Sequence, residues 1–339
     1  MNIAKAVFRA LSPAGPNARL SVLMFHRVLR APDPLFPDLP DASRFARILR
    51  WMKAWFNVIP LDEAARLLPA GRLPERAAAI TFDDGYADNA SVALPLLAKV
   101  GLPATFFIAS GYLNGGCMWN DAVIAAIRAW PLESFDGSDF ALGRHEVGSP
   151  IARRHAIDDC IDRMKYLPAG QRRAQAEALA DAAKIALPRD LMMTSDDVRA
   201  LHRAGMTVGA HTVTHPILRR QLDDEAREEI ERGRKALEAL VGARVGLFAY
   251  PNGRRNEDYD DRHVRMVREM GFDAAVSTNP GAGGVGTDLM ELPRFTPWDR
   301  GKLGFCARLA RNLVEARRLE GIGPRATSRT VQNRFQGPT

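Results

Sequence analysis

The sequence has few cysteines and no long apolar run, and each shortage excludes a class of protein. Its three cysteines, Cys117, Cys160 and Cys306, are an odd number at irregular spacings, which argues against a disulfide framework and fits a reducing compartment. No apolar run approaches the ~20 residues that a membrane-spanning helix needs. Residues 1–18 begin basic but lack the apolar core and the cleavage site of a signal peptide. We therefore interpret them as a weak leader segment and expect a cytoplasmic protein.

A basic excess is missing from the main body of the chain. Residues 300–339 contain nine Lys or Arg and two acidic residues, which accounts for the whole net charge of +7. The body is therefore not expected to bind nucleic acid. The segment 300–339 is predicted to be a basic helix followed by a disordered tail. Its apolar face, with Leu309 and Leu313, suits either peripheral contact with an anionic membrane at the cytoplasmic face or packing on the body.

Two neighbouring acids end one apolar segment. Residues 77–82 are predicted to be a buried strand, and Asp83, Asp84 and Gly85 follow it directly. In α/β proteins with parallel strands, chemistry collects at the C-terminal ends of the strands. Because adjacent carboxylates repel each other unless a cation lies beside them, the pair indicates a metal site. Taken alone, the segment fits equally well an Asp-Gly turn in which Asp84 caps the next helix.

A histidine pair follows a second predicted strand, residues 206–210. His211 and His215 are four residues apart, so one helical turn would place both imidazoles on the same side. With one carboxylate they would form a three-ligand site with an open position, which is typical of catalytic zinc. A lone pair at this spacing is usually an accident, and the two acids at the other strand end are what favour a site. The same ligands suit a mononuclear iron oxygenase, which the parallel α/β pattern and the extra Asp83 disfavour.

Predicted strands and helices alternate along most of the chain, with about seven strand–helix units, which indicates a parallel α/β barrel. We assign the barrel domain to residues 19–299. The alternation stops over residues 112–193, which are largely polar and helical and which we interpret as an insertion over the mouth of the barrel. Near its start, Trp119 is either a platform for a sugar ring or an anchor of the insertion to the core.

Three motifs, TFDDGYADN, GAHTVTHP and FAYPNG, resemble those of the polysaccharide deacetylases of carbohydrate esterase family four. The first two motifs are specific, the third moderately so, and the resemblance covers the chain from Leu20 to Pro297. The opening segment MFHRV, residues 24–28, is most similar to the bacterial exopolysaccharide branch. The resemblance implies a distorted, incomplete parallel (β/α) barrel of seven or eight strands. It also implies a metal-dependent hydrolase of linear amides that removes N-acetyl groups from amino sugars, with an N-acetylated glycan as substrate.

The resemblance also implies roles for particular residues. Asp84, His211 and His215 would bind a divalent metal, Zn²⁺ in the first place and Co²⁺ or Ni²⁺ as alternatives. Asp83 would be the general base for the attacking water. His26, at the end of the first predicted strand, would be the general acid, as in the exopolysaccharide branch. The classical family instead carries this acid in a late Leu-x-x-His segment, and the matching stretch here contains no histidine.

The third motif departs from the family pattern. The family has Arg-x-Pro-Tyr, with the arginine positioning the base, whereas this sequence has no arginine in the matching stretch 249–252. Arg294, at the end of the last predicted strand, is our candidate replacement. The loop of Tyr250, Pro251 and Asn252 is the candidate source of a backbone N–H for the oxyanion.

Two other functions and several glycans stay open at this point. The same fold could hydrolyse another C–N bond, such as that of a cyclic amide or imide, or the protein could bind carbohydrate without catalysis. Poly-N-acetylglucosamine, a mixed exopolysaccharide repeat, a lipid-linked intermediate of exopolysaccharide biosynthesis and peptidoglycan all fit the motifs.

Overall fold

In the computed structural model, which describes residues 3–297 and 299–320, most strands form one parallel sheet. The strands are β1 Ser21–Phe25, β2 Asn57–Val58, β3 Ala77–Phe82, β4 Thr105–Ile108, β5 Ser134–Gly137, β6 Gly143–Glu146, β7 Thr207–Ala210, β8 Leu247–Ala249, β9 Ala274–Pro280 and β10 Leu292–Arg294. The helices are α1 Ile3–Leu11, α2 Ala42–Trp55, α3 Leu61–Leu67, α4 Leu94–Val100, α5 Trp119–Ala129, α6 Pro150–Lys165, α7 Ala169–Ala182, α8 Ser195–Arg203, α9 Asp223–Val241, α10 Asp261–Glu269 and α11 Lys302–Glu320. A π-helical turn, Asn89–Ala93, leads directly into α4.

The main sheet curls into a barrel with one weak seam. Its strand order is β1-β3-β4-β7-β8-β9-β10, and β2 pairs with the start of β3. The two edge strands β1 and β10 meet just beyond β10, where the Met24 N–H donates to the Phe295 carbonyl at 3.0 Å and the Phe295 N–H donates to the Val22 carbonyl at 2.7 Å. The predicted distorted, incomplete parallel barrel is therefore confirmed. Because all these strands run the same way, the loops at their C-terminal ends share one mouth.

The sequence of β3 shows why the sheet is buried on both faces. All six residues of Ala77–Phe82 are buried, so the strand is continuously apolar where a half-exposed strand would alternate. On the side of α2, Phe82 stacks on Phe106 at 4.7 Å between ring centroids, and Phe25 and Phe45 pack against it. Burial of each such ring contributes roughly 1.5–3 kcal/mol. This packing fixes the end of β3, and with it the acids that follow.

The insertion lies between β4 and β7, which pair directly with each other. It contains α5, α6 and α7, and these pack around a core of their own that includes Phe135, Ile157 and Leu179. The helical character of the insertion agrees with the sequence analysis. The antiparallel hairpin β5–β6 does not, since the glycine-rich stretch that forms it gives no clear strand pattern.

Both ends of the described chain pack on the barrel. The segment interpreted as a leader contains α1, whose Phe8 is fully buried and lies 4.6 Å from the ring of Phe56. In α11, Phe305, Leu309 and Leu313 are fully buried, so this face packs on the body. No helix in the described parts of the chain is long and apolar enough to cross a bilayer. The disordered tail predicted for the end of the chain lies outside the described residues.

Candidate active site

The two acids lie in a tight turn at the end of β3. Asp84 has a φ of +75° and Gly85 a φ of +92°, in the left-handed region that asparagine, aspartate and glycine tolerate better than other residues. The Asp83 N–H donates to the Phe25 carbonyl at 2.9 Å, which fixes the turn to β1. A Cβ on Gly85 would lie 3.1 Å from Ile108. The turn is thus held between β1 and β4.

The histidine pair lies in an irregular loop after β7, so the expected helical turn is wrong. Residues 211–217 are not helical, and Thr212 and His215 have φ values of +64° and +53°. The His215 N–H donates to Thr212 Oγ1 at 3.1 Å. The two imidazole rings still converge, with 4.7 Å between their centroids. The loop turns back on itself, so the two imidazoles lie on the same side although the segment is not helical.

Helix α9 supports this loop from outside. The Glu229 carboxylate accepts hydrogen bonds from the Val213 and Thr214 N–H groups at 2.9 and 2.8 Å. At Gly233 the helix approaches so closely that a Cβ would lie 2.7 Å from backbone atoms of Thr212. Glu229 was not found from the sequence, because it is one of many charged residues along α9.

Asp84, His211 and His215 come together as a group that can hold a metal. Their donor atoms all lie within 4.8 Å of one another, and Asp84 Oδ1 is 3.4 Å from Nε2 of each histidine. Two ligands that are each about 2.0–2.1 Å from a tetrahedral Zn²⁺ would be separated by roughly 3.3–3.4 Å. Among the described residues, the buried Asp84 Oδ1 has no hydrogen-bond partner. His211 Nδ1 lies 2.7 Å from the Ala249 carbonyl, which makes Nδ1 the donor and leaves the Nε2 lone pair for a metal.

The charges of the metal-free site differ between the two histidines. Burial lowers the pKa of His215 to about 4, although Asp84 opposes the shift, so this imidazole is neutral and ready to bind a cation. Burial alone would also lower the pKa of His211, but Asp84 and Asp83 outweigh it and raise that pKa. A metal must therefore compete with a proton at His211.

Arg294 forms a two-pronged ion pair with Asp83. Its Nη1 and Nη2 donate to the two carboxylate oxygens at 2.7 and 2.6 Å, and its Nε donates to the Ser277 carbonyl at 2.8 Å. Both side chains are almost completely buried. Burial alone would raise the pKa of Asp83, but the charge and hydrogen bonds of Arg294 outweigh it and lower that pKa. The structure thus brings Arg294 into contact with Asp83, the residue that the sequence analysis proposes as the base.

One solvent-open pocket joins these groups. From the barrel it is lined by His26, Asp83, Asp84, His211, His215, Asn252 and Thr278, and from the insertion by Met118, Trp119, Asn120, Ile161, Lys165 and Arg172. The structure therefore places His26 and Trp119 at the pocket, as the sequence suggests. Trp119 packs against the insertion's own core and not against the core of the barrel, and its role as a platform for a sugar ring stays a prediction. Lys165 and Arg172 were not found from the sequence, since nothing local sets them apart in a highly charged segment.

The loop after β8 contributes one free backbone donor. The Tyr250 N–H already donates a hydrogen bond to the Val276 carbonyl at 3.2 Å, and Pro251 has no N–H. Neither residue lines the pocket. Asn252 does line it, with a φ of +59°, and its N–H has no partner among the described residues. Of the three candidates for an oxyanion donor, only Asn252 remains.

The chain is similar to known proteins over most of its length. The family model described as polysaccharide deacetylase matches residues 70–134 and 152–275, more than half of the chain. The Bacillus subtilis protein YxkH, a candidate polysaccharide deacetylase, is 20% identical over 279 residues, which are 82% of this chain and 71% of YxkH.

Two solved structures share the fold. IcaB from Ammonifex degensii has a TM-score of 0.56 at 18% identity, with 89% of this chain and 98% of that chain covered. A Streptococcus pyogenes deacetylase, PplD, in complex with acetate, has a TM-score of 0.55 at 18% identity, with 82% and 92% covered. At these identities the two structures establish the fold alone.

Proposed function

We propose that this chain, which belongs to the polysaccharide deacetylase family, is a metal-dependent hydrolase that removes N-acetyl groups from amino-sugar residues of a bacterial polysaccharide or its precursor. The observation that carries the proposal is that two neighbouring aspartates line one pocket and have different partners. Asp83 is bound at both oxygens by Arg294, while Asp84 Oδ1 has no donor among the described residues and faces two histidines. One acid is thus prepared for proton transfer and the other for a cation.

Asp84, His211 and His215 would hold the divalent metal, for which their nitrogen and oxygen donors suit Zn²⁺, with Co²⁺ or Ni²⁺ as alternatives. A cation bound there polarises an amide carbonyl and lowers the pKa of a water toward neutrality. These two effects are what hydrolysis of an unreactive N-acetyl group needs.

The other residues would move or stabilise charge. Asp83, ionised because Arg294 lowers its pKa, would accept the proton of the attacking water. The free N–H of Asn252 would donate to the oxyanion that forms on the carbonyl oxygen when water adds to the acetyl group. His26, which lines the same pocket, would give a proton to the departing amine. Arg294 touches only protein groups and would act by fixing the direction of the Asp83 carboxylate.

The test is acetate release from short N-acetylglucosamine oligomers by metal-stripped protein, with and without added Zn²⁺ or Co²⁺. We expect release that depends on the added metal and that Asp83→Asn abolishes, because the substitution removes the base but keeps the shape of the side chain. Asp196→Asn is the matched control, since Asp196 is an exposed aspartate at the start of α8 and lies outside the pocket. It should retain wild-type activity.

Other outcomes would support the alternatives. Hydrolysis of a cyclic amide or imide without acetate release would identify a different C–N substrate. Binding of the oligomers with no turnover under any metal, unchanged in Asp83→Asn, would identify a carbohydrate-binding protein.

A further inference from the structure

An arginine from the insertion carries an unneutralised charge at the pocket. Arg172, in α7, is 7% exposed and lines the pocket that contains the two acids and the histidines. No carboxylate of the described residues lies within ion-pair distance of its guanidinium. Burial lowers the pKa of Arg172, and only Tyr112 opposes the shift. Because Arg172 lines a solvent-open pocket, its unpaired guanidinium faces the space that a ligand would occupy.

Two contacts hold the guanidinium in place without neutralising it. Nη1 donates to the carbonyl of Lys165, the last residue of α6, at 3.0 Å. The group also lies over the ring of Trp119, 4.8 Å from its centroid. Nε and Nη2 have no hydrogen-bond partner among the described residues. The side chain is thus fixed by the helix end and the indole, and two donors are left over.

The neighbouring cations differ from Arg172 in this respect. Lys165, in the same pocket, pairs with the buried Asp258 at 3.4 Å. Arg173, the next residue of α7, is exposed and pairs with Glu177 at 2.9 Å. Both neighbouring cations therefore have a carboxylate partner, whereas Arg172 has none among the described residues.

We propose that Arg172 forms a subsite for an anionic group of the glycan, either the carboxylate of a uronic acid or a phosphate ester. The inference rests on the proposed function, since it names the substrate class of the same pocket. A guanidinium with two free N–H donors matches two oxygens of either anion. The Trp119 ring and the Lys165 carbonyl already hold the guanidinium, so little side-chain freedom is lost on binding. The substrate is then an acidic N-acetylated polysaccharide or a phosphorylated precursor.

The experiment compares kcat/KM for three substrates of matched length. One is a neutral N-acetylglucosamine oligomer, one alternates N-acetylglucosamine with glucuronic acid, and one carries a phosphate ester at its reducing end. We expect the wild type to prefer one of the two anionic substrates over the neutral one by about 10- to 100-fold, the range of a charge-assisted hydrogen-bond pair. The anionic substrate that the wild type prefers shows whether the subsite binds a uronic acid or a phosphate ester.

Arg172→Gln should abolish the preference, and Arg172→Lys should restore part of it. Arg173→Gln, the matched control on the same helix, should keep the wild-type ratio. If Arg172 serves only to hold α6 and Trp119 together, its loss lowers kcat/KM for all three substrates alike and the ratio is unchanged. That result, or equal kcat/KM for neutral and anionic substrates in the wild type, would overturn the subsite.

A binding measurement separates this inference from the proposed function. Calorimetric titration with a glucuronic-acid-containing oligosaccharide whose amino groups are already free, or with N-acetylglucosamine 1-phosphate, requires no catalysis. Tighter binding to the wild type than to Arg172→Gln, in a protein that releases no acetate from any substrate, would support the subsite and refute the deacetylase. Equal binding to both proteins would refute the subsite, whatever the activity.

Discussion

Replacement of Arg294 by methionine should damage both stability and the base. The substitution keeps most of the buried volume but leaves the Asp83 carboxylate, which is 2% exposed, without its partner. Removal of one member of a buried ion pair costs about 3–5 kcal/mol, because the remaining charge is uncompensated. Part of that cost is avoided if Asp83 takes up a proton, and a protonated Asp83 is no longer a base. We therefore expect a fall in kcat/KM of about 100-fold or more at neutral pH.

The pH profile distinguishes this mechanism from general damage. In the wild type Arg294 outweighs the effect of burial and lowers the pKa of Asp83. Without Arg294 burial prevails and the pKa rises, so the acid limb of kcat/KM should move to higher pH. Metal affinity should be unchanged, because Arg294 contacts none of the three proposed ligands.

Arg76 at the other end of β3 provides the control. It is also buried, and it donates to the Trp55 carbonyl at 2.8 Å, far from the pocket. Arg76→Met should lower the urea midpoint of unfolding but leave the acid limb in place. Wild-type kinetics in Arg294→Met, or an acid limb that stays at the wild-type pH, would show that Arg294 does not position the base.

Three further predictions follow from single contacts. Gly233→Ala should weaken metal binding, because the new Cβ would lie 2.7 Å from the backbone of Thr212 and push the histidine loop away; an unchanged zinc titration would contradict this. Zinc affinity should fall about tenfold per pH unit below the raised pKa of His211, since each ion displaces a proton there; a chelator competition that gives a pH-independent Kd would refute it. Burial raises the pKa of Asp121 to about 6, so between about pH 4 and that value the folded protein binds a proton at Asp121 that the unfolded chain has released, and the contribution of Asp121 to the free energy of unfolding should fall as pH rises. Asp121→Asn should remove this contribution, so that in urea titrations over this range the free energy of unfolding has a more positive pH slope than in the wild type, and an unchanged slope would contradict the assignment.

Local patterns were enough to predict the fold and the strand-end groups. An apolar run that stops at Asp83 and Asp84, and another that stops at His211, place polar side chains at the mouth of any parallel barrel. These signals are local, because a few consecutive residues determine both that the strand is buried and that its end is polar.

Contacts between distant residues had weaker local signals. Arg294 and Asp83 are 211 positions apart, and only the missing arginine of the third motif pointed to the pair. Arg172 and Arg173 look alike in the sequence, yet one is buried at the pocket and the other is exposed. Their difference depends on how α6 and α7 pack over the barrel, and no short stretch of sequence contains that information.

The position of Arg294 also ties the closure of the barrel to the assembly of the site. Arg294 ends β10, and the next residue, Phe295, makes the bridge to β1 across the weak seam. Asp83 directly follows β3 and donates its N–H to the carbonyl of Phe25 at the end of β1. The ion pair therefore joins the end of β10 to the end of β3, on either side of β1. An arginine in the third motif would hold the base from β8, on the continuous part of the sheet, whereas here the direction of the base depends on the last strand being in place. Opening of the seam would thus release Asp83, whereas the three proposed metal ligands follow β3 and β7, on the continuous part of the sheet.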